Sequence, residues 1–550
     1  MTARNEPNVA QLLVSCLENE GVEYVFGLPG EENLHVIDTI ASSSIRFITT
    51  RDERGAAFMA DTYGALTGKA GVCLATLGPG AINLLLGVAN AQLDSHPLVA
   101  LTAQAGLDRL YKESHQVVDL VSLFRPVTKW GDQVTRPGSA PELIRKAFKQ
   151  AQTERPGATF VILPEDVAEL PAEGDPLPVN VPHDPSPSVD QVHRAAHVLA
   201  QSTHPVVLAG AGVARDHAMG SLLRFSERLQ VPVATTFLGK GVFPDDHPNA
   251  LGTIGFMVKD YANFGFDTAD VVVAVGYDLV EYAPSRWNPA RDKQIVHVHR
   301  TVAEVDAHYT LAVGLQGSIG ETLDEIAGAR DLHPIGGGVP PVKSLVREEL
   351  EHGAADDAFP LTPARIVADI REAMSREDVV LCDTGAAKMW MARLYPTYAP
   401  NTCLISNGLA TMAFSLPGAF AAKLAFPERK VLAVMGDGAF LMSAAEIETA
   451  VRERVPIVTL VWVDGGYGLI GWKQDIHFGR RAAVSFDNPD FVRYAESFGA
   501  RGYSIRAAGE LLPTLRKALD DDAVSVIACP VDYRENARLL ERLGALEEPM

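Results

Sequence analysis

The chain has 550 residues, 47% of them hydrophobic, and a formal net charge of −21. That length accommodates roughly three domains of ~150–200 residues, each able to bury its own core. The acidic balance argues against a nucleic-acid or anionic-membrane partner, no apolar run approaches the roughly 18 residues of a membrane span, and the opening MTARNEPNVAQLL lacks the apolar region of a secretory signal. An anionic substrate stays compatible, because a local site can oppose the global sign. The five cysteines, Cys16, Cys73, Cys382, Cys403 and Cys529, are scattered without a CxxC pair. They read as reduced core residues of a cytoplasmic protein.

In chain order, the first block carries short β-type runs at 24–27, 46–49, 71–76 and 98–102, with helical stretches between them. A Pro-rich stretch at 164–190 follows and reads as a separator. The second block has apolar, β-branched runs at 205–210, 231–236, 271–276 and 295–299. A second separator is expected at 331–362. The third block has runs at 379–383, 404–408, 431–436, 457–463 and 524–529. Apolar runs joined by helical crossovers predict parallel sheets buried on both faces. The fold class is α/β, with three doubly wound parallel-sheet domains at 1–175, 188–335 and 358–550. The first and third blocks could be related folds.

Five places carry chemistry. The runs at 431–436 and 457–463 end in Gly436-Asp437-Gly438 and Asp464-Gly465-Gly466. A strand–helix–strand unit brings both ends to one edge of a parallel sheet. Two carboxylates with glycine-rich backbone there can hold a hard divalent cation and the phosphates it neutralises. Either tripeptide alone is an ordinary turn; the recurrence at consecutive strands is the signal. Glu53, in Arg51-Asp52-Glu53, taken alone is a helix-start carboxylate. Met412, within 404–418, taken alone is core. The segment 384–390 follows a strand and should present backbone amides. His115-Gln116 taken alone is a surface pair.

Together these segments resemble the pyruvate-decarboxylase-like thiamin-diphosphate superfamily from Val25-Phe-Gly-Leu-Pro-Gly30 to Pro530-Val-Asp-Tyr533. Thr76-Leu-Gly-Pro-Gly-Ala-Ile-Asn83 and Leu93-Asp-Ser-His-Pro97 carry the likeness most strongly. The resemblance implies an N-terminal aminopyrimidine-binding domain, a central domain and a C-terminal diphosphate-binding domain. It also implies thiamin diphosphate and Mg²⁺ as cofactors. By that likeness Asp437, Asp464 and the carbonyl of Gly466 are metal ligands. Gly385, Ala386, Gly436, Gly438, Ala439, Tyr467 and Gly468 bind cofactor. Glu53 bonds the aminopyrimidine, Met412 wedges between the two cofactor rings, and the carbonyl of Ala410 accepts from the exocyclic amine. Departures are Asp52 where His is usual, Val463 where Asn is commoner, and Ala386 and Ala387 where a polar side chain is frequent.

Within the superfamily, His115-Gln116 and the central segment 276–288 are most similar to catabolic-type acetolactate synthase. That likeness implies decarboxylation of pyruvate and transfer of the hydroxyethyl unit to a second 2-keto acid. Gln116 and His115 would face the acceptor. The central block holds no GxGxxG, only the weak Gly-rich turn Gly210-Ala-Gly212, and FAD is not expected. A homodimer or homotetramer is implied, with active sites between subunits. The alternatives are another thiamin-dependent carboligase or lyase of specialised metabolism, a flavin-dependent pyruvate oxidase, and a non-catalytic paralogue.

Overall fold

A computed structural model describes residues 6–180, 185–255, 264–330, 332–335 and 342–536. Parts of both expected separators, the first five residues and 537–550 lie outside them. The described residues fall into two units: 6–180 with 409–428 and 441–457, and 185–408 with 429–440 and 458–536.

The first unit is built on six parallel strands, β1 (Tyr24–Gly27), β2 (Arg46–Thr49), β3 (Gly71–Ala75), β4 (Leu98–Gln104), β5 (Trp130–Gln133) and β6 (Ala158–Pro164), in the order β2-β1-β3-β4-β6-β5. Every residue of β3, β4 and β6 is buried, as expected of strands covered on both faces. The helix Glu53–Thr67 packs on Gly78–Asp94 and on Ser415–Ala425. Phe58 meets Phe414 edge-on at 6.3 Å.

The second unit holds two six-stranded parallel sheets. The central one contains β7 (Pro205–Ala209), β8 (Val233–Thr235), β9 (Ala250–Thr253), β10 (Val271–Val275), β11 (Gln294–His299) and β12 (Leu311–Gln316), ordered β12-β11-β10-β7-β8-β9. Successive residues serve opposite cores: Val207 and Val273 face one cluster, Val206, Leu208, Val272 and Ala274 the other. The last sheet contains β13 (Val379–Cys382), β14 (Cys403–Ile405), β15 (Val431–Gly436), β16 (Val458–Val463), β17 (Arg501–Ser504) and β18 (Ser525–Pro530), ordered β14-β13-β15-β16-β18-β17.

All three doubly wound sheets are therefore present, and the first and last share one strand order. The second separator is shorter than expected, because Val342–Ala354 is helical. All five cysteines are buried and free. Among the described residues no helix is long and apolar enough to cross a membrane.

Candidate active site

In the first unit, Asp52 caps the helix Glu53–Thr67 by accepting from the Arg54 amide at 2.8 Å. Its carboxylate also takes the Arg54 guanidinium at 2.9 and 2.8 Å. Burial raises the Asp52 pKa, but the bonds from Arg54 outweigh it and hold the group below its ordinary value. Asp52 is thereby turned to Arg54. Glu53, half-buried, accepts from Asn83 Nδ2 at 3.0 Å. A Cβ on Gly80 would stand 3.1 Å from Glu53 Oε1, so the carboxyl lies against the first turn of the helix Gly78–Asp94.

The loop before Glu53 is fixed from below. Glu446, 2% exposed, accepts the amides of Arg51 and Asp52 at 3.0 and 3.1 Å through Oε1, and the Thr449 hydroxyl at 2.6 Å through Oε2. Gly55 leaves room for it, since a Cβ there would lie 2.5 Å from Glu446 Oε1. Burial pushes the Glu446 carboxyl up to about 7.

His115 and Gln116 sit exposed on a loop that Arg109 braces through Ser114 at 3.0 Å and Glu165 at 2.9 Å. Gln116 has φ +58°, and its carbonyl lies 2.5 Å from where a Cβ on Gly78 would stand. Gln116 and Glu53 therefore adjoin the same turn, 78–80. Met412 is half-buried and flanked by Ala410 at φ +55° and Ala413 at φ +75°. Two left-handed alanines within four residues store strain of order ~1 kcal/mol each, a feature that concentrates at functional sites.

In the second unit, Asp437 and Asp464 follow β15 and β16, which are adjacent. Asp437 is fully buried. Its Oδ1 accepts from the Gly438 amide at 2.8 Å. Its Oδ2 accepts from the amides of Asp464 (3.1 Å) and Gly465 (2.8 Å) and from Asn488 Nδ2 (2.7 Å). Asp464 is open to solvent along one edge. Lost hydration around its carboxyl, and then the charge of Asp437, nonetheless push it up to about 7. A divalent cation removes that repulsion. The loop 464–468, which includes Gly466, is pinned by 484–488: Tyr467 N donates to the Val484 carbonyl at 2.8 Å and Phe486 N to that of Gly465 at 3.0 Å. Gly438 is required here, because a Cβ would meet the Tyr467 ring at 2.8 Å. Ala439, beside it, is buried.

This edge fits a metal-bound diphosphate. β14 and β15 flank β13 on opposite sides, so the crevice at its carboxyl end is the switch point of the sheet. Helices start there at Ala386 and Gly468 and present N-terminal amides, which favour anions. Gly385, at φ +148°, and Gly436 both face open space where a Cβ would stand. Two buried polar atoms at this edge, Thr384 Oγ1 and Asn488 Oδ1, have no hydrogen-bond partner. Ala386 and Ala387 are buried and offer no side-chain donor, and Lys388 turns to the Ser406 carbonyl (2.8 Å) and Asn407 (3.1 Å). Among the described residues no group of three or more His, Cys, Asp or Glu is arranged for a metal. A cation at the Asp pair therefore needs further oxygens, from backbone carbonyls, an amide side chain, phosphate or water, to complete its shell.

Sequence reasoning missed Asn83, Glu446 and Asn488. Asn83 stands inside a quoted motif but reads as a helix surface residue. Glu446 and Asn488 carry no local signal, because their partners are far along the chain.

Family models match three stretches: thiamine pyrophosphate enzyme, N-terminal TPP binding domain, at 7–123; the central domain at 192–326; and the C-terminal TPP binding domain at 383–529. The chain is 36% identical over 544 residues to the catabolic acetolactate synthase of Raoultella terrigena, covering 97% of each. It is 35% identical over 540 residues to an acetolactate synthase of Bacillus subtilis, covering 96% of this chain and 94% of the relative. It is 32% identical over 539 residues to the acetolactate synthase large subunit of Corynebacterium glutamicum, covering 92% and 84%. The chain belongs to the thiamine pyrophosphate enzyme family, in the group of the acetolactate synthases.

Proposed function

We propose that this chain is an acetolactate synthase of the catabolic type, joining two molecules of pyruvate with loss of CO₂. The observation that carries the reading is the Asp437–Asp464 pair at a phosphate-binding sheet edge, in a chain similar to acetolactate synthases over almost its whole length. Bound thiamin diphosphate supplies the electron sink that loss of CO₂ from a 2-keto acid requires.

The rest is the work of the protein. Asp437, Asp464 and the Gly466 carbonyl would hold Mg²⁺. Amides of Gly385, Ala386, Gly436, Ala439 and Gly468 would bind the diphosphate, while those of Gly438 and Tyr467, held by Asp437 Oδ1 and the Val484 carbonyl, would shape the loops around it. Glu53 holds and releases a proton at its carboxyl, with Asn83 fixing its orientation and Glu446 fixing its backbone. Met412 and the Ala410 carbonyl set the ring geometry, so that orientation supplies much of the rate. Gln116 and His115 donate to the acceptor's carboxylate or developing alkoxide. The working unit is a cytoplasmic homodimer or homotetramer, with Glu53 of one subunit serving the metal site of another.

The reaction needs no FAD. The central sheet has the strand order of dinucleotide-binding folds, but its switch point is filled from within. The buried Glu281 carboxylate accepts the amides of Ala211 at 3.1 Å and Asp278 at 3.0 Å and the Thr236 hydroxyl. A carboxyl that already takes the amides of that turn leaves fewer donors for a dinucleotide's phosphates, which supports the reading without FAD. Incubation with pyruvate, thiamin diphosphate and Mg²⁺, with products followed by mass spectrometry, tests the reading. Acetolactate supports it. Acetate with peroxide, or flavin absorbance in the purified protein, overturns it.

A further inference from the structure

A cavity of about 310 Å³ lies in the second unit, and none of its lining residues belongs to the candidate active site. Its apolar wall is formed by Leu251 of β9, Val346 and Leu350 on the helix Val342–Ala354, and the rings of Tyr395 and Tyr398. The polar lining is under-satisfied in one sense only. Lys240, 3% exposed, gives Nζ protons to Thr253 Oγ1 at 3.1 Å and the Ala392 carbonyl at 3.0 Å, both neutral. An ammonium has three donors, so one is left over. The hydroxyl of Tyr395, a residue 1% exposed, has no hydrogen-bond partner. Arg371 donates to the carbonyls of Pro396, Met374 and Ser375 and lies 4.7 and 5.2 Å from the rings of Tyr395 and Tyr398. Among the described residues neither Lys240 nor Arg371 has an ion-pair partner.

Neither acidic side chain on the lining forms an ion pair with Lys240 or Arg371. Asp245 accepts the Thr397 amide at 2.8 Å and its hydroxyl at 3.1 Å, and Asp246 pairs with Arg376 at 2.6 Å. A buried cation without an anion is costly, and so is a buried hydroxyl without a partner. One carboxylate would answer both. The volume is in the range of small-molecule sites, about 300 Å³ and upward, and the wall is of the usual kind, apolar with a few convergent polar groups.

We propose that this cavity is a second ligand site, for a small organic monocarboxylate with an apolar or aromatic body. The carboxylate takes the third proton of Lys240 and the hydroxyl of Tyr395, and the body lies against Leu251, Val346 and Leu350. The assignment does not depend on the catalytic reading.

The test is calorimetric titration of the full chain with 3-phenylpropanoate, which has no keto group to react, and with its neutral amide. The expected result is saturable binding of one acid per chain and binding of the amide at least tenfold weaker. Lys240→Met should weaken the acid at least tenfold. Tyr395→Phe, which keeps the ring and the packing, should weaken it severalfold. Val346→Trp, which fills the cavity and leaves Lys240 in place, should abolish it. Absence of saturable binding overturns the proposal. So does equal binding of acid and amide, or unchanged affinity in both Tyr395→Phe and Val346→Trp.

Discussion

Glu446 offers the sharpest perturbation, because its energetics follow from three donors. Its carboxyl is buried, accepts two backbone amides and one hydroxyl, and titrates near 7 rather than at the ordinary 4.5. The folded protein therefore keeps a proton between pH 4.5 and 7 that the unfolded chain releases. The group's full contribution is present below pH 4.5 and is lost as pH rises to about 7. A displacement of that size corresponds to about 3 kcal/mol. Glu446→Gln keeps an oxygen for the Arg51 and Asp52 amides and offers N–H to the Thr449 hydroxyl, without the titration. Urea unfolding at intervals from pH 5 to 8 should show the variant losing less stability with rising pH than the parent, and exceeding it above pH 7 by up to about 3 kcal/mol. Glu446→Ala should instead destabilise at every pH by about 2–6 kcal/mol, at ~1–3 for each orphaned amide. Parallel pH profiles for the parent and Glu446→Gln would refute the reasoning.

Glu53→Gln should lower turnover by about a hundredfold or more, the usual scale of acid–base catalysis, while thiamin diphosphate affinity by calorimetry stays within a few-fold. Asp437→Ala removes the acceptor of four N–H groups and should abolish Mg²⁺-dependent cofactor binding; saturable binding with Mg²⁺ at parental affinity would remove Asp437 from the metal site. If each site draws on two subunits, mixing the inactive Glu53→Gln and Asp437→Ala chains under exchange should restore about a quarter of parental activity, since half the dimers are mixed and each has one intact site. No recovery despite verified exchange would place both residues of each site on one chain.

The interior of the fold was legible because strands buried on two faces must be apolar throughout. The runs at 71–76, 98–102, 271–276 and 431–436 correspond to β3, β4, β10 and β15 within a residue or two. The strands the reading passed over are mostly edges. β5, β9, β12 and β17 each have one neighbour, and β5, β12 and β17 carry exposed residues such as Asp132, Gln316 and Arg501. An edge strand need not be apolar, so its sequence resembles a loop. β6 is a central strand missed for another reason: its run ends at Pro164, where the Pro-rich stretch takes over. The site divides in the same way. Glycine–aspartate turns at strand ends announce themselves over three residues, which made Asp437 and Asp464 visible. Glu446 lies 395 residues from Arg51, and Asn488 lies 51 from Asp437. Pairings at such separations are made by the fold and leave no spacing to read.

The products formed from pyruvate test the proposed reaction most directly. Pyruvate labelled at C1, incubated with the chain, thiamin diphosphate and Mg²⁺, should yield one labelled CO₂ for each acetolactate formed, with half the label retained in the product carboxylate. Labelled CO₂ accompanied by acetate and peroxide, or no CO₂ from a chain that has bound its cofactor, would contradict it.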